Sequence, residues 1–220
     1  MTGVQINISN KTFPATRDAA ARHVIANLNL SIASGEFICL VGPSGCGKTS
    51  LLNIIADLDQ QFDGEIRLGQ HQDNPQIGYV FQNPRLLPWR TVRENIELAL
   101  PSQQSPDIIE SLLQSMNLLD VQHVYPERLS LGMSRRVAIV RAFAIDPDIL
   151  LMDEPFVSLD PPTARQVRAL LIKLWSQRPH SILFVTHDLR EAITLADRLI
   201  FLSASPMTVV SEIPVPIARA

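Results

Sequence analysis

The sequence predicts an α/β fold on a mostly parallel sheet, with an antiparallel β part at the N-terminus and a helical subdomain inserted mid-chain. Three observations predict it. The runs "EFICLV" (36–41), "DILLMD" (148–153) and "SILFVTH" (181–187) are almost uninterruptedly apolar, as strands covered on both faces must be. Residues 4–9, "VQINIS", and 28–32, "LNLSI", alternate instead, as strands with one wet face do. From about 91 to 145 the apolar residues keep helical spacing, and no long strand interrupts them.

The chain has 220 residues and is 46% hydrophobic, enough for one substantial core. Its net charge of -3 and the absence of any basic block argue against nucleic acid as a partner. Cys39 and Cys46 lie close together in a strand-then-loop stretch without metal-ligand company, which points to a reducing compartment. The N-terminal residues are too polar for a secretory leader, and no stretch reaches the roughly 18 apolar residues of a membrane span. Work at a membrane would therefore pass through a partner.

Taken in order, 9–23 reads as an irregular connection between the two alternating strands. The strand 36–41 runs into "GPSGCGKTS" and then "TSLLNIIADL", a helix by its spacing. "QIGYVFQ" (76–82) is a short strand, and "NPRLLPWR" (83–90) a loop set by its two prolines. Thr91 and Glu94 have the spacing of a capping box for the helix that follows, and Ser105-Pro106 opens another. Helices are expected at 161–177 and 188–197, with Asp188 as a cap, and a last strand at "DRLIFLSA". The expected organisation is one domain: an α/β core of 1–82 and 146–220, with 83–145 as a loop and helical insert.

The chemistry begins at Gly42. The stretch to Thr49 fits G-x-x-x-x-G-K-[ST], whose glycines let successive amides turn toward phosphate oxygens. Gly42, Pro43, Ser44, Gly45, Cys46, Gly47, Lys48, Thr49 and Ser50 form this candidate cradle. Lys48 can reach the β and γ phosphates, and the Thr49 hydroxyl can ligate Mg²⁺. Asp153 and Glu154 follow "ILLM" at a strand end, where a parallel sheet places its ligands. Asp153 can hold the Mg²⁺ hydration shell, and Glu154 can orient or deprotonate the attacking water. His187 and Gln82 end strands in the same way; His187 suits a γ-phosphate contact and Gln82 a metal or water contact through its carbonyl. Phe13 could stack on a base. His23, His71, His123 and His180 lack ligand spacing, and Arg135, Arg136 and Arg141 read as a solvated or interface face.

In this order the motifs resemble those of the nucleotide-binding subunits of ABC transporters, over nearly the whole chain. Residues 42–49 are similar to the family's Walker A, Gln82 to its Q-loop, 129–133 "LSLGM" to its signature peptide and 149–155 "ILLMDEP" to its Walker B. Ser158 to Asp160 resemble the D-loop, His187 the switch histidine, and Phe13 the adenine-stacking aromatic. "FQNPRLLPWRTVRENI" and "LSLGM" look most like importer ATPases for nitrate, sulfonate, taurine and related solutes.

The resemblance implies ATP and Mg²⁺ as ligands, with Thr49, Gln82 and Asp153 toward the metal. It implies a head-to-tail dimer with a second copy or a related ATPase subunit, in which Ser130, Gly132 and Asp160 complete the partner's nucleotide site. It further implies an integral membrane permease engaged by the loop after Gln82 near Trp89, an external solute-binding protein acting indirectly, and a place on the cytoplasmic side of the inner membrane. A small-molecule kinase would have no use for Gln82, His187 and "LSLGM" together, and a soluble relative would carry coiled-coil insertions or two tandem cores.

Two departures stand out. The stretch between "GEIRLG" and Gln82 is short. Leu131 stands where a glycine is expected; if that position needs φ > 0, a branched side chain costs about 1 to 2 kcal/mol. On that expectation Leu131 impedes dimer closure, Leu131→Gly relieves it, and a degenerate sensing or structural subunit is the alternative.

Overall fold

The computed structural model describes residues 3–17, 20–68, 75–101 and 107–216. In chain order the elements are β1 (Val4–Phe13), β2 (Arg22–Ile32), β3 (Phe37–Val41), α1 (Lys48–Ile55), β4 (Asp63–Arg67), β5 (Ile77–Val80), α2 (Val92–Glu97), α3 (Asp107–Ser115), α4 (Leu131–Ala144), β6 (Ile149–Asp153), α5 (Pro161–Gln177), β7 (Ser181–Thr186), α6 (Leu189–Leu195), β8 (Arg198–Leu202) and β9 (Val209–Pro214). The fold is α/β, with mostly parallel central strands and a separate antiparallel β part. The chain divides into two compact units, one of residues up to 75 together with 181 onward, the other of 76–180.

The first unit holds two groups of strands. β1 pairs antiparallel with β2 on one side and β4 on the other. Its alternation buries Val4, Ile6 and Ile8 and turns Gln5, Asn7 and Ser9 to water. β3 lies parallel between β7 and β8, and β9 closes the edge antiparallel to β8. The apolar runs explain that centre: every residue of β7 is buried, as are Phe37 to Leu40 of β3. Phe37 and Phe184 meet with ring centroids 5.9 Å apart. Met207 joins the two groups, its amide donating to the Val24 carbonyl at 2.7 Å while its carbonyl accepts from Ala26 at 3.1 Å.

The second unit sets β5 parallel to β6, with α4 packed on β5 and contacting α2, α3 and α5. α4 is buried along most of its length, from Val137 to Val140 and from Ala142 to Ala144. The Thr91–Glu94 capping box is formed in full: the Glu94 amide donates to Thr91 Oγ1 at 3.3 Å and the Thr91 amide to Glu94 Oε2 at 2.7 Å.

Two expectations change. The connection expected at 9–23 is largely strand, since β1 extends to Phe13 and β2 starts at Arg22; a register shift between Lys11 and Thr12 lets the pair continue past the alternating stretch. The strand at "DRLIFLSA", expected to be the last, is followed by β9, an edge strand on which Pro214 needs no amide. The Ser105-Pro106 helix start, His71 and residues 69–74 of the shortened stretch lie outside the described residues.

Candidate functional site

In the first unit, β3 ends at Val41 and the chain curls through 42–47 into α1. Gly45 and Gly47 have φ of 74° and 119°, and a Cβ at Gly47 would lie 2.6 Å from Val24 Cγ1, so this turn excludes a side chain there. Gly47 is the N-cap and supplies no capping side chain, and the first turn of α1 has no acid, so the helix keeps its positive end for an anion. Pro43, Ser44 and Gly45 are exposed at the crest, while Cys46 is buried with its sulfur 4.0 Å from Met207 Sδ. Lys48 is only 6% exposed, and its Nζ donates to the carbonyls of Gly42 and Pro43 at 2.8 Å each. The ammonium is thus tied to the start of the loop by two of its carbonyls. The Arg22 guanidinium, from the start of β2, donates to the Gly45 carbonyl.

His187 stands next to this loop in the topology. β3 and β7 are parallel and in register at Val41 and Thr186, so Gly42 and His187 leave neighbouring strands at the same end. Asp188 caps α6 by accepting from the Arg190 amide at 2.8 Å, and Thr186 Oγ1 donates to Glu191 Oε2 at 2.7 Å; His187 between them is exposed. Phe13 is not in a loop; it ends β1, 41% exposed, with the Lys11 ammonium 4.6 Å from its ring centroid. It lines a surface cleft of about 610 Å³ with Ser50 and Asn53 of α1 and Asp57 beyond it, so the aromatic borders the side of α1 rather than the loop 42–47.

In the second unit, β5 and β6 are in register at Val80 and Met152, which brings Gln82 and Glu154 off adjacent strand ends two residues later. Asp153, the last residue of β6, is 5% exposed. Glu154 has φ 45°, in the left-handed region that a non-glycine residue adopts at a cost, and accepts the Val157 amide at 3.1 Å in a tight turn. Burial, with the negative charge of Asp153 adding to it, pushes the nearby Tyr79 phenol far up, so it stays protonated. Asp160 caps α5, its Oδ1 accepting from the Thr163 amide at 3.0 Å; hydrogen bonding to the Thr163 side chain, and then to that amide, holds its carboxyl below the ordinary range.

The "LSLGM" peptide starts α4. Ser130 is the N-cap, and its Oγ accepts from the Met133 amide at 3.2 Å. Its hydroxyl hydrogen remains a donor. The helix starts at Leu131 rather than near Met133, and Leu131 is not among the residues with positive φ. The strain envisaged for a side chain at 131 is therefore absent; Leu131 is an ordinary first-turn residue, 43% exposed. Gly132 is the constrained glycine of the pair, facing Thr163 of α5.

The arginines of α4 overturn the reading of a solvated face. Arg135 is 2% exposed and donates to the carbonyls of Phe81, Gln82 and Val157. Arg136 donates to the Met116 and Asn117 carbonyls, and Arg141 to those of Pro84 and Arg85. The loop 83–90 is pinned further by Asn95 of α2, 1% exposed, whose side chain bonds the amide and carbonyl of Leu87 and the carbonyls of Arg90 and Thr91. Trp89, at the crest, is 68% exposed. Sequence reasoning missed Asn95 and Arg135; the one available signal was a polar residue at an apolar position of each helical pattern.

Comparisons with known proteins agree on a family. The family model described as ABC transporter matches residues 25–157. An aliphatic sulfonates import ATP-binding protein of Bacillus cereus is 41% identical over 208 residues, 92% of this chain and 82% of that protein. A nitrate import ATP-binding protein of Synechococcus elongatus is 38% identical over 213 residues, 92% of this chain and 77% of that one. Among solved structures, the dimeric structure of MJ0796, a bacterial ABC transporter cassette, superposes with a TM-score of 0.83 at 30% identity, covering 98% of this chain and all of that one. A post-hydrolysis state of the same cassette bound to ADP and Pi gives 0.81.

Proposed function

The chain belongs to the ABC transporter family, and from that premise we propose that it is the ATPase subunit energising import of a small anion, a sulfonate or nitrate, through a membrane permease. Its relatives are import ATP-binding subunits for these two solute classes. The observation that carries the catalytic assignment is the pairing of β5 with β6, which sets Gln82 and Glu154 off neighbouring strand ends.

The mechanism follows from what each side chain can do. The amides of 43–47 and the N-terminus of α1 bind the β and γ phosphates, and Lys48 Nζ supplies the cation. Phe13, steadied by Lys11, offers its open ring face to the adenine. Glu154 accepts the proton of the attacking water or holds its lone pair in line, and His187 donates to the γ-phosphate. Thr49, Gln82 and Asp153 carry the hydroxyl, carbonyl and carboxylate oxygens that Mg²⁺ prefers. When bound, the ion neutralises the charge developing between the β and γ phosphates. Ser130, the Gly132 amide and Asp160 serve the nucleotide of a second ATPase subunit.

We also place 83–145 as the insert that faces the permease, with Trp89 as its contact, and put the chain at the inner face of the membrane. Among the described residues no helix is long and apolar enough to cross a bilayer. An external binding protein would select the solute upstream of the permease. The degenerate-subunit alternative drew on Leu131 alone, and the helical backbone there speaks against the strain it was argued from.

Phosphate release from MgATP by the purified chain, stimulated by its permease in vesicles when a sulfonate or nitrate is offered, is the expected result. A chain that binds MgATP but releases no phosphate, with or without the permease, would refute the ATPase reading. Stimulation by neither anion would refute only the solute class.

A further inference from the structure

We propose that Arg135 is a positioning residue for hydrolysis, tying the two strand ends that bear Gln82 and Glu154 to the helix that starts beside Ser130. The inference rests on the catalytic reading of Gln82 and Glu154. Three segments meet at one guanidinium. Nη1 donates to the carbonyls of Phe81, at 3.4 Å, and Gln82; Nη2 donates to that of Val157, at 3.3 Å, in the turn closed on the Glu154 carbonyl. Arg135 itself lies in the second turn of α4, whose N-cap is Ser130.

The cost of this arrangement shows that it is not incidental packing. A guanidinium 2% exposed has been taken out of water. Among the described residues no carboxylate pairs with it, and its Nε has no hydrogen-bond partner. Burial lowers its pKa accordingly. What compensates the charge is three backbone carbonyls, and carbonyls hold a guanidinium only while they converge on it. Displacement of Gln82 or of the Glu154 turn therefore breaks bonds to Arg135, and α4 is pulled or released with it. No partner of Arg135 lies in the phosphate loop, so its loss should leave nucleotide affinity alone while loosening the groups that act on water.

The test is a kinetic double-mutant cycle on the purified chain. Arg135→Gln should lower kcat for MgATP about ten-fold with KM within about two-fold of the parent. Combined with Gln82→Ala, it should add nothing: the double variant turns over as slowly as the slower single one and no slower. Arg135→Lys, which keeps the charge but gathers its N–H donors on a single nitrogen, serves the same cycle should Arg135→Gln not fold. A parent-like kcat, a raised KM with kcat unchanged, or losses that multiply in the double variant would each overturn the tie while leaving the ATPase reading intact. If Gln82→Ala alone turns over like the parent, the Gln82 assignment falls and the tie falls with it. If the parent binds MgATP without hydrolysing it, the ATPase reading fails, and there is no turnover for Arg135 to position.

Discussion

A Cβ on Gly132 would lie 2.6 Å from Cγ2 of Thr163, well inside the contact distance of two carbons, so α4 and α5 approach closely enough that a side chain at 132 would force Thr163 to shift. This contact puts the signature peptide against the helix that Asp160 caps. Gly132→Ala should destabilise the chain by about 1 to 3 kcal/mol, the usual cost of overpacking. Thr163→Ser removes Cγ2 and should restore most of that loss in the double variant, although on its own it leaves a small void. Denaturant midpoints of the four proteins decide it; a Thr163→Ser that rescues nothing would show that Gly132→Ala acts elsewhere.

Leu131→Gly should not promote MgATP-driven dimerisation. The residue occupies the first helical turn with no positive φ, so glycine relieves no strain and loses helix propensity worth about 0.5 to 1 kcal/mol. Size exclusion with light scattering against MgATP concentration, in a Glu154→Gln background, measures it. An increased dimer fraction would restore the closure penalty first expected of Leu131.

Glu154→Gln and Lys48→Ala should separate chemistry from binding. The amide of Glu154→Gln keeps the side chain's shape but cannot take a proton, so kcat falls by about 10² or more while MgATP affinity holds. Lys48 contributes the ammonium tied to the start of the phosphate loop, so Lys48→Ala should lower affinity and turnover together. Calorimetric titration with MgATP beside steady-state phosphate release distinguishes the two; swapped outcomes would refute both assignments.

Trp89→Ala should spare basal hydrolysis and abolish the stimulation given by the permease. Its ring is exposed on a loop that Asn95 and Arg141 hold in shape, and a rigid exposed aromatic is the kind of residue that anchors an interface. Basal and stimulated rates falling in proportion would place Trp89 in the stability of its own loop instead.

Much of this site could be read from the chain because its parts are local. Eight consecutive residues, Gly42 to Thr49, contain the whole phosphate loop, and the apolar runs before Gly42, Asp153 and His187 place each at the end of a buried strand. The Thr91–Glu94 box and the Asp188 cap are equally short-range, closed by bonds across two or three residues. Phe13 was misjudged as a loop residue because its strand is extended by pairing with Arg22, across a connection the alternation does not reach.

The sequence by itself therefore determined which residues are candidates for phosphate, water and metal, and that Gly42, Asp153 and His187 lie at strand ends, because motif and hydrophobic period are properties of neighbouring residues. Tertiary structure alone decided how those strand ends are held. Arg135 looks like any surface arginine until α4 packs on β5 and turns it toward carbonyls 53 and 54 residues earlier. Gly132 rather than Leu131 proved to be the position where a side chain would be crowded, because the constraint is a methyl group of Thr163, 31 residues further along, and no local pattern records a contact made at that range.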